Sequence, residues 1–183
     1  MEFVIKDITR ENLGDLPELC KACLYWEFPR DFKEQSLLEP KEKREFVAKK
    51  KGWFLQTLRE SGNCGKIVYH NNMPVGYAQY APFERLPQAS TYKSGPLGRA
   101  EEGVVFLSCL YISDKVLRGK GVGIRLLDSI ITDLKRKGFK ALETFARRGS
   151  FNNPSGPIEL YLKRGFYIKD ETNPEFPLVR LDI

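Results

Sequence analysis

At 183 residues and 21.1 kDa, with 42% hydrophobic and 30% charged residues, the chain has the length of one domain and enough apolar side chains to bury a core, which excludes a disordered or fibrous protein. No stretch approaches the ~18 apolar residues of a membrane span, residues 1–8 lack the basic-then-apolar order of a secretory leader, and four cysteines do not make a disulfide scaffold at this length; a cytoplasmic protein is expected. The net charge of +6 is unevenly placed, since residues 1–114 balance 16 Lys and Arg against 16 Asp and Glu, residues 115–169 carry 13 against 4, and residues 170–183 carry 1 against 4. The basic excess points to an anionic partner for that stretch (nucleic acid, a membrane surface or a phosphorylated small molecule) or to no more than a solvated helix face.

In chain order, Phe3–Ile8 reads as a short strand. Asn12–Leu24 reads as a helix, with Leu13, Leu16, Cys20, Cys23 and Leu24 near the 3.6-residue period. Tyr25–Pro40, aromatic and interrupted by Pro29, reads as irregular. Lys41–Glu60 reads as a second helix with Phe46, Val47, Phe54, Leu55 and Leu58 on its apolar side. Lys66–His70 and Val75–Pro82 flank Asn71-Asn72-Met73-Pro74, a hairpin signature. Phe83–Gly103 is rich in turn-formers and has no period, a length that is unusual unless the segment is mobile or functional. Val104–Ser113 is nearly all apolar, as in a strand covered on both faces. Ile124–Lys137 is an amphipathic helix lined by Leu126, Leu127, Ile130, Ile131 and Leu134, ended by Gly138 behind three cations. Lys140–Ala146 reads as a strand, Ser155–Arg164 as a short helix stopped by Gly165, and Phe166–Lys169 and Leu178–Leu181 as closing strands. With no linker and no internal repeat, this order predicts one α/β (layered α+β) domain over residues 1–183.

Between the apolar strand and the amphipathic helix lies Arg118-Gly119-Lys120-Gly121-Val122-Gly123. A helix N-terminus offers free N–H groups and a partial positive charge, glycines let a ligand approach the backbone, and Arg118 and Lys120 add full charges, a combination suited to a diphosphate. The Walker pattern is absent because no Gly-Lys-Ser/Thr follows. A dinucleotide fingerprint spaced from Gly119 would need Gly or Ala at position 124, which is Ile, although Glu143 stands where a ribose contact would. Three glycines that merely permit tight packing are the remaining alternative.

Arg118-x-x-Gly121-x-Gly123, after an apolar strand and opening a helix, resembles motif A of the GNAT (general control-related N-acetyltransferase) superfamily. Further on, Leu160-Tyr161-Leu162-Lys163-Arg164-Gly165-Phe166 resembles the end of its motif B, Leu-Tyr-x-Lys-x-Gly-Phe. The resemblance implies a mixed, mostly antiparallel central sheet of about 6–7 strands flanked by about 4 helices. It implies acetyl-CoA as co-substrate, lying between the motif A strand and the next strand where the two splay apart. Backbone groups of Leu110, Tyr111 and Ile112 would then bond the pantetheine arm, and the amides of Arg118, Gly119, Lys120, Gly121, Val122 and Gly123 the pyrophosphate. Motif B usually carries an asparagine seven residues before its tyrosine; Pro154 stands there, with Asn152 and Asn153 just upstream as candidates for that contact.

Acyl transfer to an amine needs a neutral amine, a polarised carbonyl and a proton for the leaving thiolate. The resemblance makes Tyr161 the general acid, and a reference phenol pKa near ~10 suits a departing thiolate; an aromatic packing residue is the other reading. The base is less defined, because Val104–Ser113 contains no carboxylate. Candidates are Glu102, beside Glu101 ahead of that strand, and Glu27 in Tyr25-Trp26-Glu27-Phe28, within the helix–helix connection that lines the acceptor site in the family. Phe83–Gly103 is longer than the family's usual hairpin and is expected to cover the acceptor site. Shortening it should then alter acceptor affinity far more than acetyl-CoA affinity.

Cys20-x-x-Cys23 with Cys64 and His70 could supply four zinc ligands, but thiols on the apolar side of a helix read as structural, and no metal is expected. Cys109 reads as core, with no histidine near it in sequence to activate it. The expected function is direct acetyl transfer from acetyl-CoA to the primary amine of a small molecule or peptide, with neither nucleic acid nor membrane as partner; homodimers are common in the family. A module that holds CoA without catalysis is the alternative, and a nucleic-acid-binding domain lacks a recognisable motif.

Overall fold

In the computed structural model, which describes residues 2–94, 101–149 and 155–183, the described strands form one sheet. They are β1 (Val4–Asp7), β2 (Gly65–His70), β3 (Met73–Pro82), β4 (Val104–Ile112), β5 (Ala141–Phe145), β6 (Tyr167–Asp170) and β7 (Leu178–Asp182), in the spatial order β1-β2-β3-β4-β5-β7-β6. Every neighbouring pair is antiparallel except β4–β5. The helices are α1 (Glu18–Lys21), α2 (Pro40–Ser61), α3 (Val122–Arg136) and α4 (Ile158–Leu162). This is the mixed, mostly antiparallel layered sheet that the motifs imply, and none of these helices is long and apolar enough to cross a membrane.

Local chemistry explains most of the elements. Asn71 and Asn72 both adopt left-handed backbone (φ 50° and 63°), the two-residue turn whose twist matches a hairpin. At the start of α2, Pro40 occupies the first turn, Glu39 and Glu42 form a reciprocal capping box, and the Glu39 N–H donates to Glu42 Oε2 at 3.2 Å. The predicted helix over Asn12–Leu24 does not form as one element. It is a 3₁₀ turn at Leu13–Asp15 and the single turn α1, because Pro17 drives Leu16 into extended backbone (ψ 145°). Within Phe83–Gly103, short 3₁₀ turns form at Phe83–Arg85 and Pro87–Thr91. The last predicted helix is shorter than Ser155–Arg164, running only from Ile158 to Leu162.

The sheet is covered on both faces. On one, Leu126, Leu127, Ile130 and Leu134 of α3 pack with Val105, Leu107 and Leu110 of β4 and with Tyr161 and Phe166. On the other, Trp53 and Phe54 of α2 join Trp26, Phe106, Phe145 and Leu178. The buried face of α2 is Lys50, Trp53, Phe54 and Thr57, a stripe at i, i+3, i+4 and i+7 displaced from the expected one; Leu55 and Leu58 are only half-buried. A lysine thus lies on the core side of a helix.

Candidate functional site

Strands β4 and β5 are in register over only Val104–Phe106 and Ala141–Glu143. Beyond these pairs β4 continues on β3 to Ile112, while β5 continues on β7 to Phe145. The two strands therefore fork, and one side chain spans the opening, Thr144 Oγ1 donating to Leu107 O at 2.8 Å. A bulge reinforces the bend: Tyr80 pairs with Leu107 and Gln79 with Cys109, leaving Ser108 as the extra residue, its hydroxyl donating to Gln79 O at 3.1 Å. Leu110, Tyr111 and Ile112 lie toward the open end of this fork.

The glycine turn lies past that end of β4. Asp114 accepts from the Val116 N–H at 2.9 Å and starts a 3₁₀ turn over Lys115–Leu117. The chain then crosses Gly119 (φ 75°) and Gly121 (φ 80°), left-handed conformations that side chains disfavour, before α3 begins at Val122. The Arg125 N–H bonds back to Gly121 O at 3.1 Å, whereas the amides of Val122, Gly123 and Ile124 belong to the helix's first turn, which has no intrahelical acceptors. A Cβ on Gly119 or Gly121 would meet no atom within 4 Å, so the turn faces open space, and its amides with the dipole of α3 fit an anionic diphosphate. Arg118 folds back, donating from Nε to Ile112 O at 2.9 Å with its guanidinium 5.5 Å from the Tyr111 ring centroid, and so braces the turn against the end of β4. Lys120 is exposed. Much of the basic stretch is internally neutralised: Arg136 and Lys137 pair with Asp133, Arg164 with Asp128, and Lys169 with Glu143.

Tyr161 reaches the fork from α4. It is fully buried, packs edge-on against Phe166 at 5.3 Å, and donates from Oη to Ser155 O at 2.5 Å. Gly156 (φ 78°) is required beneath it, because a Cβ there would come within 3.1 Å of the Tyr161 hydroxyl. Burial holds the phenol above the ordinary tyrosine value, offset in part by the neighbouring Thr144 hydroxyl. Asn152 and Asn153 lie outside the described residues.

The candidate carboxylates separate. Glu102 is exposed in the turn ahead of β4, at the closed end of the fork, and the structure does not bring it to the open end. Its neighbour Glu101 is paired with Arg180 at 2.6 Å. Glu143, placed by the dinucleotide alternative on a ribose, is buried between Arg180 and Lys169 at 3.0 and 2.6 Å, which removes that reading. Glu27 is buried: Oε1 meets Lys50 Nζ at 2.5 Å and accepts from Gln79 Nε2, while Oε2 has no hydrogen-bond partner among the described residues.

A cavity of about 360 Å³ opens beside this pair. Tyr77, Cys109 and Tyr111 of β3 and β4 share one face of the sheet and line it, as Tyr77 and Tyr111 are register partners and Cys109 precedes Tyr111 by two. Cys20, Cys23 and Trp26 line it from the segment after Pro17, and Tyr92, Ser155 and Phe176 are also part of the wall. Tyr92 stacks on Phe145 with centroids 4.3 Å apart, and its hydroxyl shares a 2.9 Å hydrogen bond with that of Tyr25. Tyr25, Tyr92 and Phe176 also border a more open cavity of about 470 Å³. Cys20 and Cys23 are half-buried and line the cavity, and Cys20 also packs against the core. His70 lies at the far end of β2, its Nδ1 2.9 Å from Glu2 O, and among the described residues no group of three His, Cys, Asp or Glu is placed to hold a metal. Lys50, Gln79, Tyr92 and Phe176 were not legible as site residues; the one signal for any of them was a lysine on an apolar helical stripe.

The profile of the Acetyltransferase (GNAT) family matches residues 21–166. No curated protein sequence matches the chain significantly. Among solved structures, the PaiA N-acetyltransferase of Thermoplasma acidophilum in complex with coenzyme A is 15% identical with a TM-score of 0.61, covering 100% of each chain. An N-acetyltransferase of Staphylococcus aureus Mu50 is 18% identical with a TM-score of 0.56, covering 100% of this chain and 98% of that one. A GNAT family acetyltransferase of Brucella melitensis in complex with acetyl-CoA is 13% identical with a TM-score of 0.55, covering 100% of this chain and 88% of that one. At these identities the structures attest the fold, and the profile match, with the fork and the glycine turn in place, carries the assignment: the chain is an acyltransferase that belongs to the GNAT acetyltransferase family.

Proposed function

We propose that the protein moves an acetyl group from acetyl-CoA directly to the primary amine of a small molecule or peptide. The observation that carries this reading is the open end of the β4–β5 fork, with the glycine turn past the end of β4 and the Tyr161 and Thr144 hydroxyls close together within it. Acetyl-CoA supplies the activated acyl thioester. The amides of Gly119, Gly121 and the first turn of α3 bind its diphosphate, while those of Arg118 and Lys120 donate to Lys115 O and Leu117 O at 3.3 Å and shape the turn, and the unpaired edge of β4 over Leu110–Ile112 presents main-chain groups to the pantetheine arm. Tyr161 keeps its proton at neutral pH because of its burial and provides it from Oη to the leaving thiolate. Glu27, buried behind Trp26 and the cavity's thiols and paired with Lys50, is the candidate base, and Oε2 is its oxygen without a hydrogen-bond partner among the described residues.

Tyr161→Phe tests the acid. Turnover should fall by about 10²–10⁴-fold while the calorimetric affinity for CoA stays unchanged; unaltered turnover removes Tyr161 from the mechanism. The non-catalytic reading draws on one observation, that the Tyr161 hydroxyl is already committed to Ser155 O, and thiol release with any amine excludes it.

Tyr92 tests the covering segment. Its ring stacks on Phe145 and walls the acceptor cavity, so Tyr92→Ala should raise the acceptor KM by about 10-fold and leave acetyl-CoA binding unchanged. The reverse pattern would assign residues 83–94 to the cofactor side.

A further inference from the structure

We propose that the acceptor is a small apolar monoamine, an aromatic or alkyl body bearing one primary amine and no second charge, which seats in the cavity formed by β3, β4 and the Cys20–Trp26 segment. This rests on the transferase reading above and adds the acceptor's chemical class.

Charge is the first argument. Among the described residues, those lining the cavity include no Asp, Glu, Lys or Arg. Its ionisable groups are thiols and phenols, and burial pushes the Cys20 and Cys109 thiols up to about 12 and the Tyr77 phenol well above its ordinary value. They are neutral in the physiological range and supply no counter-charge. The carboxylate behind them, Glu27, is already matched by Lys50 at 2.5 Å. Among the described residues, the charged residue of the adjoining cavity is Lys93, of the wrong sign for a polycation. A second ammonium, as in a polyamine or a lysine, would therefore lose its water without gaining a partner.

Hydrogen bonding is the second argument. A peptide brings several main-chain N–H and C=O groups that must be paired, yet of the polar groups lining the cavity the Tyr25 and Tyr92 hydroxyls are bonded to each other at 2.9 Å, the Tyr77 hydroxyl meets the Cys20 and Cys109 thiols, and Ser155 O accepts from Tyr161. The aromatic walls instead offer faces to a ring or alkyl chain. At about 360 Å³ the cavity lies at the lower end of small-molecule sites, ~300–1,000 Å³. The same desolvation favours the uncharged, nucleophilic form of the entering amine.

The test uses the full chain with acetyl-CoA and measures thiol release for 2-phenylethylamine, tryptamine and hexylamine against spermidine, lysine and a tripeptide with a free N-terminus. The monoamines should exceed the others in kcat/KM by on the order of 100-fold. In parallel, 2-phenylethylamine should quench tryptophan fluorescence, spermidine should not, and Trp26→Phe should abolish the quench. Spermidine or the tripeptide as preferred acceptor, with the monoamines inert, overturns the proposal and leaves the transferase reading standing. Quenching by monoamines without thiol release from any amine supports the cavity's selectivity and removes the transferase reading. Neither quench nor release with the monoamines overturns the proposal.

Discussion

Lys50→Ala should lower the unfolding free energy by about 3–5 kcal/mol, a large share of the ~5–15 kcal/mol typical of a domain, read by urea denaturation. Lys50 is 2% exposed, and its ammonium sits 2.5 Å from Glu27 Oε1 with the Trp53 and Phe54 ring centroids at 5.8 and 5.5 Å. Alanine leaves the Glu27 carboxylate in that apolar setting with only the Gln79 amide to accept from. Removing both charges together, in Lys50→Met with Glu27→Gln, should recover most of the loss, because the cost comes from the stranded charge. Burial is the largest influence on the Lys50 ammonium and would depress it, but the Glu27 carboxylate together with Cys23 and Cys109 reverses this, so it titrates above the ordinary lysine value. A raised folded-state pKa contributes stability that is complete below the unfolded value of about 10.4 and is lost as pH rises through the folded one; the pair thus holds across the neutral range. A loss under ~1 kcal/mol in Lys50→Ala would show the pair to be energetically idle.

The second large effect falls on ligand binding. Gly121→Val should weaken CoA binding by about 100-fold or more, because its methyls would fill the open space through which a diphosphate reaches the amides of the turn. The φ is 80°, and no atom lies within 4 Å of the point a Cβ would occupy. The valine therefore meets no neighbouring atom in the free protein, and only the left-handed strain of roughly 1–2 kcal/mol should show in its melting, as a fall of about 2–8 °C. Gly123→Ala is the control. Its Cβ, inside α3, would make an ordinary 3.7 Å contact with Leu160 Cδ1, and its CoA affinity should stay within about threefold of the parent. Calorimetry with CoA separates the two, and wild-type affinity in Gly121→Val would show that the turn does not hold the diphosphate.

What the sequence made readable was whatever is encoded locally. The Asn71-Asn72 turn, the period of Ile124–Lys137, the apolar run of β4 and the glycines at 119 and 121 each state their own conformation through neighbours a few residues away, and all appear in the structure. The exception among local signals was Asn12–Leu24, where periodicity outweighed Pro17 in the reading and not in the chain. The cavity side was opaque for a different reason. Gln79 stands opposite Cys109 through strand pairing, Glu27 meets Lys50 across 23 residues, and Tyr92 reaches Phe145 from a segment without periodicity. Such partners are chosen by tertiary packing. Composition could announce that Tyr25-Trp26-Glu27-Phe28 was unusual, but not that its carboxylate would be buried against a lysine.

The fork has a mechanical consequence. A sheet joined across its middle by three register pairs and a threonine hydroxyl amounts to two leaves, β1–β4 and β5–β7, on a short seam. A rod-shaped guest wedged between the leaves would substitute for the rungs they lack, so occupancy and cohesion become one equilibrium, and the saturated protein resists heat in proportion to the logarithm of guest concentration.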